Sequence, residues 1–295
     1  MKIRFWGVRG SIPSPGPKTL RYGGNTTCIE VETDDGWTII LDAGTGIYPL
    51  SQDLLNKMPL DCSIFITHTH WDHIQGLPFF VPLFIPGNSI RIYGGSDPVL
   101  QRDIGDVLSR QMEYSYFPVR EAELKARMEY GSLCERQTVD IGSAKVTAVL
   151  MNHTVLNFGY RIDCNGKSLF FTGDHEPLYN IYCPGDDSHA GYENFISMKN
   201  AMLDDVIRGV DVLIADAAYT DEEYPAKRGW GHGTFDTCVG MAAKAGVKAL
   251  WLTHHEPLRN DDELDHIGES LLRRHAVRDR MFSLGIAYEG LEFSW

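Results

Sequence analysis

Apolar runs that stop abruptly on a histidine or an aspartate recur along this 295-residue chain. No other feature constrains its fold so tightly. "CSIFIT" stops at His68, "KVTAVLMN" at His153, "SLFFTG" at Asp174 and "VKALWLT" at His254. "WTIILDAG" carries Asp42 near its end and "DVLIADA" carries Asp216. Short continuous apolar runs rich in β-branched residues suit strands covered on both faces. Polar groups placed straight after several such strands converge on one edge of a β-scaffold, where a rigid framework holds functional loops.

The remaining segments fill in an α/β chain. "KIRFWGV", "TCIEVET", "SIRIYG" and "FGYRID" also suit strands, and Asp34–Gly36 suits a hairpin turn because Asp and Gly tolerate positive φ. Thr234 is placed to N-cap a helix with Phe235, Cys238, Val239 and Ala242 on one face and Gly246 at its end. "DDELDHIGESLLRRH" sets Leu264, Ile267, Leu271 and Leu272 at helical spacing. The expectation is one domain over 1–295, with insertions near 96–132, read as helical, and near 176–206, with "CPGDDSHAG" as a loop.

His68, His70, Asp72 and His73 crowd into six positions. In extended chain His68 and His70 point the same way and can reach one ion, while Asp72 and His73 follow a turn and can serve a second. Imidazole with carboxylate suits zinc, manganese or iron, and no thiolate stands in the cluster. Two ions need further ligands, and His153, Asp174, His254 and the adjacent His255 are the candidates at other strand ends.

The ordered set resembles the metallo-β-lactamase superfamily. The H-x-H-x-D-H motif stands as His68-Thr69-His70-Trp71-Asp72-His73, and His153, the "TGD" Asp174 and the "LTH" His254 follow in the family's order. The resemblance spans essentially the whole chain and implies a four-layer αββα sandwich with a dinuclear site at one edge. It implies that His68, His70 and His153 hold one metal, that Asp72, His73 and His254 hold the other, and that Asp174 bridges them. His255 is then expected to support the site or line a pocket.

"VRGSIPSPGPKTLRYGGNTTC" and "GHGT" are most similar to the superfamily's phosphodiesterase branch, which includes cyclic phosphodiesterases and tRNase Z. That likeness implies that His232 donates a proton to the leaving group or holds a phosphate oxygen, with Asp216 orienting it. Asp72 joins these two among the expected catalytic groups. Asp42 is expected to hydrogen-bond a ligand histidine. Asn25, Thr26 and Thr27 either face the site or shape a turn. Tyr219, Tyr224 and Trp230 form either an aromatic wall or ordinary loop packing. His175, His189, His266 and His275 are expected to lie outside the chemistry.

The expected function is hydrolysis of a small cyclic or nucleotide-like phosphodiester, with two divalent ions activating water and neutralising charge on the phosphate. Zinc and manganese are the first expectations and iron the third. With 27 Lys and Arg against 40 Asp and Glu, the net charge is −13. That balance disfavours a long nucleic acid, whose binding draws on many cationic contacts, but admits a small anionic substrate. Hydrolysis of a lactone, thioester or β-lactam is the alternative, followed by a metal or nucleotide sensor without turnover. Six scattered cysteines without a C-x-x-C pair, and no apolar run of roughly 18 residues, lead to the expectation of a cytoplasmic protein with no membrane partner. A homodimer is compatible with the resemblance.

Overall fold

The computed structural model describes residues 1–276 and 282–295. Its strands in chain order are β1 (Lys2–Gly7), β2 (Cys28–Glu32), β3 (Thr38–Leu41), β4 (Asp61–Phe65), β5 (Ser89–Gly95), β6 (Arg127–Leu133) and β7 (Thr138–Ile141). They continue as β8 (Ala144–Met151), β9 (Asn157–Cys164), β10 (Lys167–Phe171), β11 (Val212–Asp216), β12 (Ala249–Thr253), β13 (Ser283–Ile286) and β14 (Glu292–Ser294). The helices are α1 (Ile47–Leu54), α2 (Trp71–Ile74), α3 (Ile104–Ser109), α4 (His189–Ile207), α5 (Phe235–Ala245) and α6 (Asp261–Ala276).

These strands form two seven-stranded sheets, ordered β14-β1-β2-β3-β4-β5-β6 and β13-β12-β11-β10-β9-β8-β7. Ile3, Phe5 and Phe65 of the first sheet pack against Tyr160, Phe171 and Ile214 of the second. Outside the first sheet, Ile47, Leu50 and Leu54 of α1 cover Ile40 and Ile64. Outside the second, Phe235, Val239 and Ala242 of α5 cover Leu213 and Leu250. The result is the expected αββα sandwich, and it explains the unbroken apolar runs. Every residue of β3 and β11 is buried, because each strand has a core on both faces. Burying one such Leu or Ile stabilises the fold by roughly 1.5–3 kcal/mol.

Strand direction places the functional edge. β3 and β4 are parallel, as are β10, β11 and β12. β8 and β10 are each antiparallel to β9, so β8 runs with β10. The C-terminal ends of β8, β10, β11 and β12 therefore share one edge of their sheet.

Local signals act where expected. The Thr234 hydroxyl accepts from the Thr237 amide, and Gly246 closes α5 in the left-handed conformation. The stretch 96–132 differs from its helical expectation. Ile104–Ser109 forms its one α-helix, and Arg127–Leu133 instead pairs in parallel with β5. As an edge strand, β6 lacks the continuous apolar pattern of the inner strands β3 and β4. Within 176–206, α4 packs Leu203 and Val206 onto the second sheet's outer core, so its end belongs to the helical layer. Leu272 is half-exposed and does not share the buried face of Leu264 and Leu271. No helix among the described residues is long and apolar enough to cross a membrane. The side chain of His275 lies outside the described residues.

Candidate metal centre

The loop after β4 leads straight into α2 and carries His68, His70, Asp72 and His73 inward. Asp42, directly after β3, supports it from below. The Asp42 carboxylate accepts from the Thr67 amide at 2.7 Å, from the Thr67 hydroxyl, and from His73 Nδ1 at 2.8 Å. His73 Nδ1 thereby carries the proton, and Nε2 is left as a lone-pair donor facing the site. Both Asp42 (φ 61°) and His254 (φ 62°) adopt left-handed backbone conformations immediately after a strand. Such conformations cost roughly 1–3 kcal/mol in a non-glycine residue and persist where the surroundings over-determine them. Here they turn both side chains back over the strand ends. The His254 ring sits so close to Gly10 that a Cβ there would lie 2.3 Å from Cε1, which explains a glycine in "VRGSIP".

Two groups of donor atoms result, each with its members within 4.8 Å of one another. In the first, His153 Nε2 lies 3.2 Å from His70 Nδ1. Asp174 Oδ2 stands 3.5 Å from His68 Nε2 and 3.7 Å from His153 Nε2. In the second, His73 Nε2 is 3.3 Å from Asp72 Oδ2 and 3.3 Å from Asp174 Oδ1. His254 Nε2 is 3.2 Å from Asp72 Oδ2 and 3.1 Å from Asp174 Oδ1. Asp174 therefore offers one oxygen to each group. His68 Nε2, His73 Nε2 and Asp174 Oδ1 are buried without a hydrogen-bond partner. Buried polar atoms are almost always satisfied, so three orphans aimed at shared points fit a pair of cations.

Electrostatics divide the donor set: burial pushes His73 and His254 down, but Asp174 with Asp72 and Asp216 carries both above the ordinary imidazole value, a demand for positive charge that a cation would meet in place of protons. Burial pushes the His68, His70 and His153 imidazoles below their ordinary values, which favours the neutral, ligating form. Burial also pushes the Asp174 carboxyl up, but His254, His73 and His68 outweigh it and hold the group well below the usual carboxylate range. Asp72, likewise opposed by burial, is held low by His73 and His254.

A third group extends the site. His232 Nδ1 is 2.9 Å from Asp216 Oδ2 and 3.8 Å from Asp174 Oδ2. Asp216 Oδ1 lies 3.5 Å from His254 Nδ1. One carboxylate thus faces both the second metal-type group and His232. Burial pushes the His232 imidazole down, yet Asp216 and Asp174 carry it up to about 9.

Other expected residues divide. His254 enters the cluster and His255 does not. His255 is fully buried and its Nε2 donates to the Ala287 carbonyl at 2.8 Å, so it braces the fold rather than lining the pocket. The Asn25 side chain donates to Glu289, and the Thr26 hydroxyl donates nothing to the cluster but accepts from Thr45 and Gln75. These residues hold turns together. His175 receives the Asn152 amide on Nδ1, and its own amide donates to Asp216. His189 and His266 belong to none of the donor groups among the described residues. Tyr219 is buried beside the His232 ring, whereas Trp230 is 57% exposed.

Glu176 escaped the sequence reading. Its buried carboxylate accepts from the Tyr224 hydroxyl and from the Gly229 and Gly231 amides at 2.8, 2.8 and 2.9 Å. The Gly231 carbonyl in turn accepts from His153 Nδ1 at 2.9 Å. Its one sequence signal was its place two residues after Asp174.

Comparison with known proteins agrees with this architecture. A family model described as "Beta-lactamase superfamily domain" matches residues 38–255. A ribonuclease Z from Agathobacter rectalis is 25% identical over 95% of this chain and 96% of its own. Among solved structures, the metallo-beta-lactamase fold protein YhfI from Bacillus subtilis superposes with a TM-score of 0.64 at 18% identity, covering 99% of both chains. Human tRNase Z, short form, gives 0.63 at 20% identity, over 100% of this chain and 99% of that one. A diphosphatase from the PhnP family gives 0.64 at 19%, over 100% and 97%. The expectation of no long nucleic-acid partner conflicts with relatives named as ribonucleases. Net charge is an average over the surface, and local cations decide what an active-site mouth can bind.

Proposed function

This chain belongs to the beta-lactamase superfamily, and we propose that it is a two-metal hydrolase of phosphodiesters. The observation that carries the reading is Asp174, whose two oxygens face two separate sets of imidazoles. In this reading His68, His70 and His153 hold one divalent ion, Asp72, His73 and His254 hold the other, and Asp174 joins both. Zinc or manganese suits the donor set. Bound there, the ions supply a water of lowered pKa and neutralise charge on the phosphoryl oxygens.

The chain's own groups do the rest. Asp42 holds the His73 proton on Nδ1. Asp216 holds His232 by Nδ1, leaving Nε2 to carry the proton passed to the departing alkoxide. The Asp216 carboxylate, 2.9 Å from Nδ1, favours the protonated ring that a general acid requires. Such an acid matters for an alkoxide leaving group. The relatives named as ribonuclease Z and tRNase Z, and the neighbour named as a diphosphatase, support phosphorus rather than carbonyl chemistry. The same proposal takes residues 1–295 as one domain, a reading supported by the pairing of β1 with β14.

The test is turnover of bis(p-nitrophenyl) phosphate before and after removing and restoring zinc or manganese, beside a lactone panel and a His68→Ala control. Metal-dependent phosphodiester turnover that vanishes in His68→Ala is expected. Lactone hydrolysis without phosphodiester turnover, with two ions bound, would overturn the proposal.

A further inference from the structure

The loop between β11 and α5 holds an exposed tryptophan rigidly at the mouth of the site. Trp230 is flanked by Gly229 (φ +86°) and Gly231 (φ +91°), positions where a side chain would be strained. A Cβ on Gly231 would also fall 2.2 Å from His153 Nδ1. Both glycine amides donate to the buried Glu176 carboxylate, and so does the Tyr224 hydroxyl. Charge-assisted hydrogen bonds of this kind are stronger than neutral ones. Exposed loop tips are usually held far less firmly, and the exposed part of an indole gains nothing for folding. Its position matters, because the Gly231 carbonyl touches His153 and the next residue is His232.

Two cations sit on the same loop. Lys227 Nζ lies 4.1 Å from the Trp230 ring centroid and 5.7 Å from that of Tyr219, which in turn packs edge-on to His232. The Arg228 guanidinium lies 5.1 Å from the Tyr179 ring. Neither cation is ion-paired with a carboxylate among the described residues, although the chain carries a net charge of −13. Aromatic faces interleaved with unpaired cations are what a nucleotide requires: a surface for the base and charge for phosphate.

We propose that Trp230, Lys227 and Arg228 form a recognition platform for a nucleotide unit of the substrate. The base stacks on the indole of Trp230, and Lys227 and Arg228 pair with a phosphate beyond the scissile one. This rests on the phosphodiesterase reading above and narrows it to nucleotidyl esters. Glu176 is the positioning residue that holds the platform beside His232.

Direct binding separates the two readings, because it requires no turnover. Calorimetric titration of the metal-loaded protein compares adenosine 5′-monophosphate, ribose 5-phosphate and adenosine 3′,5′-bisphosphate. The monophosphate is expected to bind about tenfold more tightly than ribose 5-phosphate, in keeping with the worth of one stacked base. In Trp230→Ala that ratio falls to near one. The bisphosphate is expected to exceed the monophosphate by a further fivefold or so, a margin lost in the double variant Lys227→Ala/Arg228→Ala. Trp230→Phe, which keeps an aromatic face, retains most of the base increment. An unchanged ratio in Trp230→Ala, or no advantage of the nucleotide over ribose 5-phosphate in the parent protein, would overturn the platform. Either result would leave the hydrolytic reading to the turnover assay.

Discussion

Two loops at neighbouring strand ends build this site by different means. The segment from Ile66 through α2 follows β4, and its His68, Asp72 and His73 are buried, braced by Asp42 at the end of the adjacent strand β3. The loop from Ala217 to Thr234 follows β11, is open to solvent mainly between Asp221 and Trp230, and is tied by the Glu176 carboxylate, 48 to 55 positions away, and by Arg259, which pairs with Glu223 and donates to the Ala218 carbonyl. The first has little freedom, because every imidazole is held by a buried partner or a neighbouring ring. The second keeps a fixed backbone but at its tip presents side chains, Arg228 and Trp230 among them, that meet no core constraint. In the proposed function the first kind of loop contributes metal ligands and the second discriminates between substrates.

Substitutions can break or sharpen that contrast. Asp174→Asn should have the largest effect, since it weakens an oxygen shared by both donor groups. The content of bound metal should fall below two ions per chain, and kcat/KM on bis(p-nitrophenyl) phosphate should drop by on the order of a thousandfold or more. Two ions retained with near-normal turnover would mean that Asp174 is not shared. His232→Ala should leave metal content intact and lower kcat by roughly 10²–10⁴ on a diester with an alkoxide leaving group. The loss should be much smaller with p-nitrophenolate, which needs no proton, and equal losses on both would remove His232 from the acid role.

Asp42→Asn should weaken binding of one ion by about 10–100-fold, as removal of a ligand's hydrogen-bond partner does, read by titration with a chromogenic chelator. Glu176→Gln should keep both ions while loosening the second loop. It replaces a charged acceptor by an amide with one acceptor oxygen, so one glycine N–H loses its partner at a cost of roughly 1–3 kcal/mol. Hydrogen exchange at Gly229 and Gly231 should accelerate, with KM for a nucleotide ester rising more than kcat falls. Unaltered exchange there would show that the loop is held by something else.

The smallest expected effect is one of pH on stability. Burial pushes the His255 imidazole down to about 3. Its unfolded pKa lies near 6.5, so between these values the unfolded chain binds the extra proton. The folded state should therefore lose stability as pH falls from about 6.5 toward 3, with a slope near 1.4 kcal/mol per pH unit from this group at most. Urea unfolding of metal-free protein between pH 4.5 and 7 should show a shallower slope in His255→Gln. Parallel slopes would exclude this residue as a source.

The sequence exposed the first loop far better than the second. His68, His70, Asp72 and His73 are adjacent in the chain and follow an apolar strand, so composition and spacing coincide. His153, Asp174 and His254 were legible because each ends a strand of the same kind. Asp216 and His232 stand 16 positions apart and needed family likeness to be linked. Glu176 was invisible, because two of its three partners are backbone amides, and an amide has the same identity in every residue. The edge strand β6 was missed for a related reason: one of its flanks has no neighbour, so burial imposes no continuous apolar pattern. The stacking of β13 and β14 on their sheets was hidden by their three or four residues.

The sandwich's two sheets are held together mainly by the apolar layer between them, yet the metal-type groups straddle that layer. His68, His70, Asp72 and His73 hang from the first sheet, whereas His153, Asp174 and His254 hang from the second. Asp72 and His254 are 182 positions apart in the chain. A cation gripped from both sides, as the proposed function requires, would act as a rivet at one edge of the sandwich, tying the two sheets together. By mass action, free metal at a hundred times its dissociation constant adds about 2.7 kcal/mol to the folded state. Metal supply would then contribute to the stability of the fold as well as to turnover.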